Sequence, residues 1–339
     1  MKIAITGGTG CLGRPLLENL IGKGIDIQLL ALPRDPIPDF IKRKVQILTG
    51  NLNSLETLKL LTKDCETIFH LAGKVHSIPG TKEEEENFYR VNVEGTKSLL
   101  KASKYNEVKK VIFYSTMGVY GPDADFHGDE LSPCRPGSIY AKSKFQAEQL
   151  VLNSSNDCGP EGVVLRFPVV YGPFDRGNVA KLIKAVHRKL FVYLGDGSCF
   201  RSMISSKNAA LAAVKAALEP KAANEVFCVT DGQDYTMNEL IGSICHAMGT
   251  NWRPYHMPVL LAEMIGKLGD FLKKWSHISF PITSGNVRKL SRPLTFSCEK
   301  AKKVLGYEPS ETLRKGIRRE VEWLYPEMRS TDYADDYTD

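Results

Sequence analysis

The chain has 339 residues, 42% hydrophobic and 25% charged, which is ordinary for a soluble globular protein with one large or two closely joined domains. No apolar run reaches the length of a membrane span. The 45 basic and 39 acidic residues are interspersed, so the net charge of +6 suits a small anionic ligand and makes no case for nucleic acid.

The first predicted elements are a short apolar strand, Lys2–Thr6, a glycine turn, Gly7–Gly13, and a helix from Pro15 to Ile21. Gly8-x-Gly10-x-x-Gly13 and Gly7-x-x-Gly10-x-x-Gly13 both fit dinucleotide-binding spacing, and strand–turn–helix is the context such a fingerprint requires. Glycines there permit a tight turn and close approach to pyrophosphate, which would sit at the helix N-terminus among free amides. Met1-Lys2 runs straight into the strand, so no signal peptide is expected.

A βα rhythm continues. Strands are expected at Asp26–Leu32, Lys44–Leu48, Thr67–Leu71, Lys110–Tyr114 and Val163–Phe167, with helices at Ser54–Thr62, Glu84–Ser103 and Ile139–Leu152. Near-continuous apolar strands alternating with amphipathic helices predict an α/β fold, a Rossmann-type doubly wound parallel sheet covered on both faces. Ligands in such sheets bind beyond the carboxyl ends of the strands. Gly7–Gly13, Pro33-Arg34, Asn51-Leu52, Ala72-Gly73, Ser115-Thr116 and Pro168–Tyr171 fall there.

Tyr140 and Lys144 are one helical turn apart. An ammonium beside a phenol is expected to favour the phenolate and lower its pKa, a compact way to exchange a proton during alcohol–ketone interconversion.

Past residue 174 the rhythm loosens into a smaller lobe, 175–327, that shares sheet elements with the first domain, 1–174. Helices are expected at Asn178–Leu190, Asn208–Leu218, Met237–Met248, Met257–Trp275, Ser297–Leu305 and Glu311–Leu324, with a strand at Glu225–Val229. The apolar spacing of 257–275 reads as a helix packed over the smaller lobe in preference to a membrane anchor. Residues 328–339 form an acidic tail expected to be disordered. The eight cysteines have neither C-x-x-C nor metal-ligand spacing and read as reduced thiols of a cytoplasmic protein; no metal site is expected.

The chain resembles the extended short-chain dehydrogenases/reductases of the nucleotide-sugar epimerase/dehydratase group. The resemblance rests on Thr6–Gly13, His70-Leu71-Ala72-Gly73, Val91-Asn92-Val93-Glu94-Gly95-Thr96, Ser115–Gly121, Tyr140-Ala141-Lys142-Ser143-Lys144 and Leu165–Pro173, in family order. It implies NADP or NAD bound by Gly7, Gly10, Cys11, Leu12, Gly13, Arg34, Asn51, Leu52, Leu71, Ala72, Gly73, Asn92, Ser115, Tyr140, Lys144, Phe167 and Val170. It implies a catalytic set of Thr116, Tyr140 and Lys144, and substrate contacts from Thr116, His76, Asn178 and Arg201, the last two on a nucleotide diphosphate. It also suggests a homodimer through helices 84–103 and 139–152. A softer likeness, carried in part by Phe280-Pro281-Ile282, is to surface-polysaccharide sugar epimerases and 4-ketoreductases.

The chain departs from the family in places. Met117 and Gly118 replace the Asp-Glu of dehydratases, which argues against elimination of water. Val169 stands where many members carry Asn, and Asn51-Leu52 replaces an acidic pair. Arg34, with Asp35 beside it, follows the second strand where NAD enzymes place an acid, which favours a 2′-phosphate. The expected activity is 4-epimerisation or 4-keto reduction of a nucleotide sugar. Alternatives are a sterol- or flavonoid-type alcohol reductase and a non-catalytic NAD(P)-sensing protein.

Overall fold

The computed structural model describes residues 2–75, 79–121, 126–276 and 292–328. His76, Phe280–Ile282 and the chain after Met328 lie outside the described residues.

In chain order the strands are β1 (Lys2–Thr6), β2 (Asp26–Ala31), β3 (Gln46–Thr49), β4 (Thr67–His70), β5 (Lys110–Thr116), β6 (Phe126–Gly128), β7 (Glu161–Phe167), β8 (Val169–Tyr171), β9 (Val192–Leu194), β10 (Phe200–Ser205), β11 (Val226–Cys228), β12 (Asp234–Thr236), β13 (Tyr255–Met257) and β14 (Leu294–Phe296). The helices are α1 (Gly13–Gly22), α2 (Asp39–Lys42), α3 (Leu55–Thr62), α4 (Lys82–Tyr89), α5 (Gly95–Tyr105), α6 (Ile139–Leu152), α7 (Asn178–His187), α8 (Ser206–Leu218), α9 (Met237–Ala247), α10 (Val259–Ser276), α11 (Glu299–Leu305) and α12 (Leu313–Leu324).

The main sheet is parallel, in the order β11-β7-β5-β4-β1-β2-β3. Apart from the edge strand β3, whose residues are exposed or half-buried, its strands are buried on both faces, and their period of two sorts side chains between two cores. Ile3 and Ile5 face α1 and α8 with Leu29, Ile112 and Leu165, while Ala4, Ile68, Val111 and Phe113 face α3, α5 and α6. The strand order reverses between β1 and β4, which puts the glycine turn after β1 and the loop after β4 side by side at the carboxyl edge.

The second half supplies the seventh strand, β11, and a smaller sheet ordered β12-β10-β14-β6, with β8 also on β10. Tyr171, Tyr193 and Met203 join α7, α9 and α12 in a separate core. Buried Asp231 ties these parts together, accepting from Ser205 N at 3.0 Å, Asn208 Nδ2 at 2.6 Å and the Tyr171 hydroxyl at 2.6 Å.

Three expectations need correction. The helix expected over 84–103 is broken by a π turn, Arg90–Glu94, between α4 and α5. The wider turn follows from close packing: a Cβ on Gly95 would lie 2.8 Å from that of Leu52, and Thr96 Oγ1 donates to the Asn92 carbonyl at 2.7 Å. The strand expected at Lys44–Leu48 forms at Gln46–Thr49, because the chain first turns through α2. Helix α10 forms as expected but is only partly packed: Ala262 and Gly266 are buried, whereas Leu260, Leu261 and Met264 are exposed.

Candidate active site

At the end of β1 the chain turns through Gly7, whose φ of +75° is strained for any residue with a Cβ. A Cβ there would also lie 2.6 Å from Ala72 N, so the β1 turn and the β4 loop touch backbone to backbone. A Cβ on Gly10 would meet only Gly7 O, at 3.8 Å, so the turn's outer side is open. Helix α1 has no side-chain N-cap and no acidic residue in its first turn, so its dipole is open to an anion; its first amides, Gly13 N and Arg14 N, donate to Gly10 O at 3.2 and 3.1 Å and close the turn on itself. Arg14 holds the turn from behind, donating to Thr9 O at 3.0 Å and Pro36 O at 2.8 Å with its guanidinium 3.7 Å from the Phe174 ring centre. Cys11 Sγ points back to Gly172 O at 3.7 Å, and burial pushes its thiol pKa up. These residues fit a dinucleotide pyrophosphate held by backbone amides.

Thr116, Tyr140 and Lys144 come together beside the β4 loop. Thr116 ends β5 and its Oγ1 accepts from Gly118 N at 3.1 Å; Tyr140 and Lys144 sit in the first turns of α6, which Ser138 caps by accepting from Ala141 N at 3.1 Å. Lys144 is 4% exposed, with Nζ 3.9 Å from the Phe113 ring centre. It forms no hydrogen bond or ion pair among the described residues. A Cβ on Gly73 would lie 3.9 Å from that ammonium and 3.1 Å from Asn92 Oδ1, so the glycine leaves the space before them open. An unpaired buried ammonium facing this space fits the hydroxyls of a ribose.

The expected lowering of the Tyr140 pKa is not found. Burial pushes the phenol up to about 12, opposed by its hydrogen bond with Thr116, and pulls Lys144 down to about 7, opposed by the charge of Glu148. Desolvation of the charged form dominates each shift, and neither group is a cause of the other's. Tyr140 therefore carries its proton at neutral pH.

A buried relay missed at the sequence level supports the site. Ala72 N donates to Thr6 Oγ1 at 3.2 Å, and that hydroxyl lies 2.7 Å from His70 Nδ1. Since the Thr96 hydroxyl donates to Asn92 O, His70 Nε2–H donates to Thr96 Oγ1 at 2.9 Å. Burial with the nearby Lys144 charge pulls the ring's pKa down to about 3, so it is neutral with its proton on Nε2, and Nδ1 accepts from the Thr6 hydroxyl. Asn92 extends the relay, accepting from Lys74 N at 2.6 Å and donating to Lys74 O at 3.2 Å.

Behind Thr116, Glu148 is fully buried and takes a forked pair of hydrogen bonds from Arg166, with Nη2 2.7 Å from Oε2. Ser115 Oγ also donates to Glu148, and Arg166 Nη1 donates to the Tyr120 hydroxyl at 2.8 Å. The Ser115 hydroxyl is therefore spent on structure. Its signal in the sequence was an Arg inside the apolar run Val163–Phe167, which demands a buried partner.

The remaining expected residues fall as follows. Arg34 is exposed, and Asp35 Oδ2 accepts from Thr9 Oγ1 at 3.0 Å and Leu32 N at 3.1 Å. Asn51 is exposed and accepts from Asn53 N at 2.9 Å, whereas Leu52 is in the core. Leu71 N donates to Thr6 O at 3.0 Å, Phe167 is buried against Tyr114, and Val170 pairs with Ile204 between β8 and β10. Asn178 is exposed at the start of α7, whose Ala180 N donates to Asp175 at 3.0 Å. Arg201, on β10, donates through Nη2 to Arg292 O at 3.2 Å. Among the described residues no group of His, Cys, Asp and Glu could hold a metal ion, and no helix is long and apolar enough to cross a membrane.

A doubly wound sheet with a glycine turn at its switch point and a Thr–Tyr–Lys cluster at the next carboxyl edge defines a dinucleotide-binding oxidoreductase-type α/β protein. The chain belongs to the NAD dependent epimerase/dehydratase family, which matches residues 3–230. One relative, a 4-hydroxy-2-methyl-3-oxo-4-farnesyl-3,4-dihydroquinoline-1-oxide ketoreductase of Stigmatella aurantiaca, is 28% identical over 94% of this chain and 95% of its own. Another, an N-acetyl-alpha-D-glucosaminyl-diphospho-ditrans,octacis-undecaprenol 4-epimerase of Escherichia coli O157:H7, is 27% identical over 98% of this chain and 97% of its own. Among solved structures, MoeE5 in complex with UDP-glucuronic acid and NAD is similar at 25% identity and a TM-score of 0.75, covering 96% of this chain and 100% of that one.

Proposed function

We propose that the protein is an NAD(P)-dependent enzyme that interconverts an alcohol and a ketone at the 4-position of a nucleotide-linked sugar, by epimerisation or by 4-keto reduction. The observation that carries this reading is the buried Lys144 amine, without a hydrogen bond or ion pair among the described residues, one helical turn from a protonated Tyr140 whose upward shift Thr116 opposes. A nicotinamide, when bound, supplies the hydride acceptor and donor. Thr116 would hold the substrate oxygen, Tyr140 would give or take the proton at that oxygen, and Lys144 would orient the cofactor ribose and bias the phenol. The Lys74 loop, pinned by Asn92, would keep these groups in register. Asn178 and Arg201 would receive the diphosphate, Arg201 with a planar donor fork suited to it. The UDP-glucuronic acid bound by MoeE5 supports this class, and the Escherichia coli relative, named for a glucosaminyl diphosphate carried on undecaprenol, supports the 4-position of a sugar diphosphate without the nucleotide.

Purified enzyme tested with UDP-, GDP- and dTDP-sugars by thermal shift and turnover checks the reading. Stabilisation by one nucleotide series is expected, and a flat response to all of them overturns it. A stoichiometric dinucleotide retained through purification marks an epimerase; an empty protein that consumes added NADPH or NADH marks a reductase. A homodimer through α4 to α6 belongs to the same proposal, and sedimentation as a monomer at micromolar concentration overturns that part.

A second reading, reduction of a hydrophobic alcohol or ketone, is favoured by Val169, an apolar side chain 38% exposed where many family members carry Asn. The ketoreductase relative with a farnesyl-bearing substrate supports it. Turnover of an alkyl or prenyl ketone, with no response to any nucleotide sugar, would select this reading.

A further inference from the structure

We propose that the β9–β13 ribbon and the first turns of α10 form a surface that docks on a bilayer of anionic phospholipid. The ribbon is parallel, with Tyr255 beside Val192. Residues 192 and 255 share its outer face, since the intervening Tyr193 and His256 stack at 4.5 Å on the other. On that chain segment Leu190 is 71% exposed and Tyr255 82% exposed. Helix α10 begins one residue past β13, and its Val259 would lie 3.1 Å from a Cβ on Gly195, at the end of β9. The helix turns Ala262 and Gly266 inward and leaves Leu260 73% and Met264 62% exposed, with Leu261 beside them.

Single exposed apolar side chains are ordinary, but Val192 and Tyr255 on the ribbon, Leu190 just before it and Leu260, Leu261 and Met264 on the helix it leads into call for an occupant. The charges around them select it. Arg188, Lys189, Arg253 and Lys267 are all exposed on these segments. The carboxylates on the same segments are Glu263, half-buried, and Asp196, which accepts from Ser198 N at 3.0 Å and Ser198 Oγ at 2.6 Å. A second copy meeting this face about a twofold axis would set like charges against each other, whereas an anionic bilayer complements both the apolar face and its basic rim. The sequence of α10 continues the apolar spacing at 268, 271, 272 and 275. Such a surface lies on the membrane without crossing it, in keeping with the absence of a spanning helix among the described residues. The proposal goes beyond the substrate reading and is read without turnover.

The full-length chain is incubated with phosphatidylcholine vesicles, with and without one-third phosphatidylglycerol, and sedimented. Binding to the anionic vesicles that weakens as salt is raised is expected. L260S/L261S/M264S should lose at least tenfold in vesicle affinity, and R188A/K189A/R253A should lose about fivefold per charge removed. Three results would overturn the proposal: no binding to either vesicle, equal binding to both, or unchanged binding by the apolar variant. A concentration-dependent dimer that the apolar variant abolishes would assign the face to a second copy and overturn it as well. The vesicle result stands whether or not any nucleotide sugar is turned over.

Discussion

Asn92 Nδ2 donates to Ser143 Oγ across 2.9 Å, joining the π turn between α4 and α5 to the helix that carries Tyr140 and Lys144. Ser143 Oγ passes the bond on to the Tyr140 carbonyl at 2.8 Å, and the same Asn92 side chain grips both backbone groups of Lys74. The loop after β4 and α6 are thereby held in one register.

Asn92→Ala should leave the Lys74 amide and carbonyl without partners and cost about 1–3 kcal/mol of stability. Loss of register should also lower kcat more than it raises KM. Denaturant unfolding and steady-state kinetics read the two effects; unchanged kcat would mean that Asn92 is only a structural pin.

Tyr140→Phe removes the phenolic proton that the proposed mechanism exchanges at the substrate oxygen, while keeping the ring in its place against Phe88. Turnover should fall by about 10²–10⁴-fold, with dinucleotide affinity changed by no more than a few-fold. Fluorescence titration with NADH and NADPH measures the second quantity. Full turnover would exclude Tyr140 as the acid–base group.

Lys144→Met replaces a buried cation with a side chain of similar length. Because burial lowers the folded-state pKa from 10.5 to about 7, the unfolded chain binds the extra proton between those values. Wild-type stability should therefore rise with pH across that window, by up to about 1.4 kcal/mol per unit. The variant should lack that slope, be the more stable protein at pH 7, and bind dinucleotide weakly. A pH-stability curve identical to wild type would show that Lys144 is not desolvated.

His70 should govern stability on the acid side. Its folded pKa of about 3 lies below the ordinary 6.5, so its contribution is fully present above pH 6.5 and is lost as pH falls toward 3. Protonation would force a cation between Thr6 and Thr96. Thermal midpoints measured from pH 7 to 4 should fall in the wild type and fall less in His70→Gln, which retains one donor and one acceptor.

Arg34 is exposed at the end of β2, while the Asp35 carboxylate is engaged by Thr9 and Leu32. Arg34→Ala should weaken NADPH binding by about tenfold, the loss of one charge-assisted contact, and leave NADH affinity nearly unchanged. Parallel titrations with the two dinucleotides decide the point; equal losses would place Arg34 on a group the cofactors share.

The sequence alone determined the features that depend on short-range spacing. Apolar strands and amphipathic helices alternate from Lys2 to Phe167, the glycines at 7, 10 and 13 stand where a strand hands over to a helix, and Tyr140 and Lys144 share a helical turn. Each single strand, helix or motif among them is written in a short run of consecutive residues, where periodicity and backbone sterics act directly. The tertiary structure decided what depends on residues far apart in the chain. Three-residue strands such as β8, β12 and β14 carry too little pattern to be seen until β10 pairs with them. The His70–Thr96–Asn92 relay and the Arg166–Glu148 pair exist only once burial makes an unpartnered polar group expensive. The same burial reversed the expected pKa shift of Tyr140: spacing brought an ammonium near a phenol, but desolvation, which no local pattern records, determined their charges.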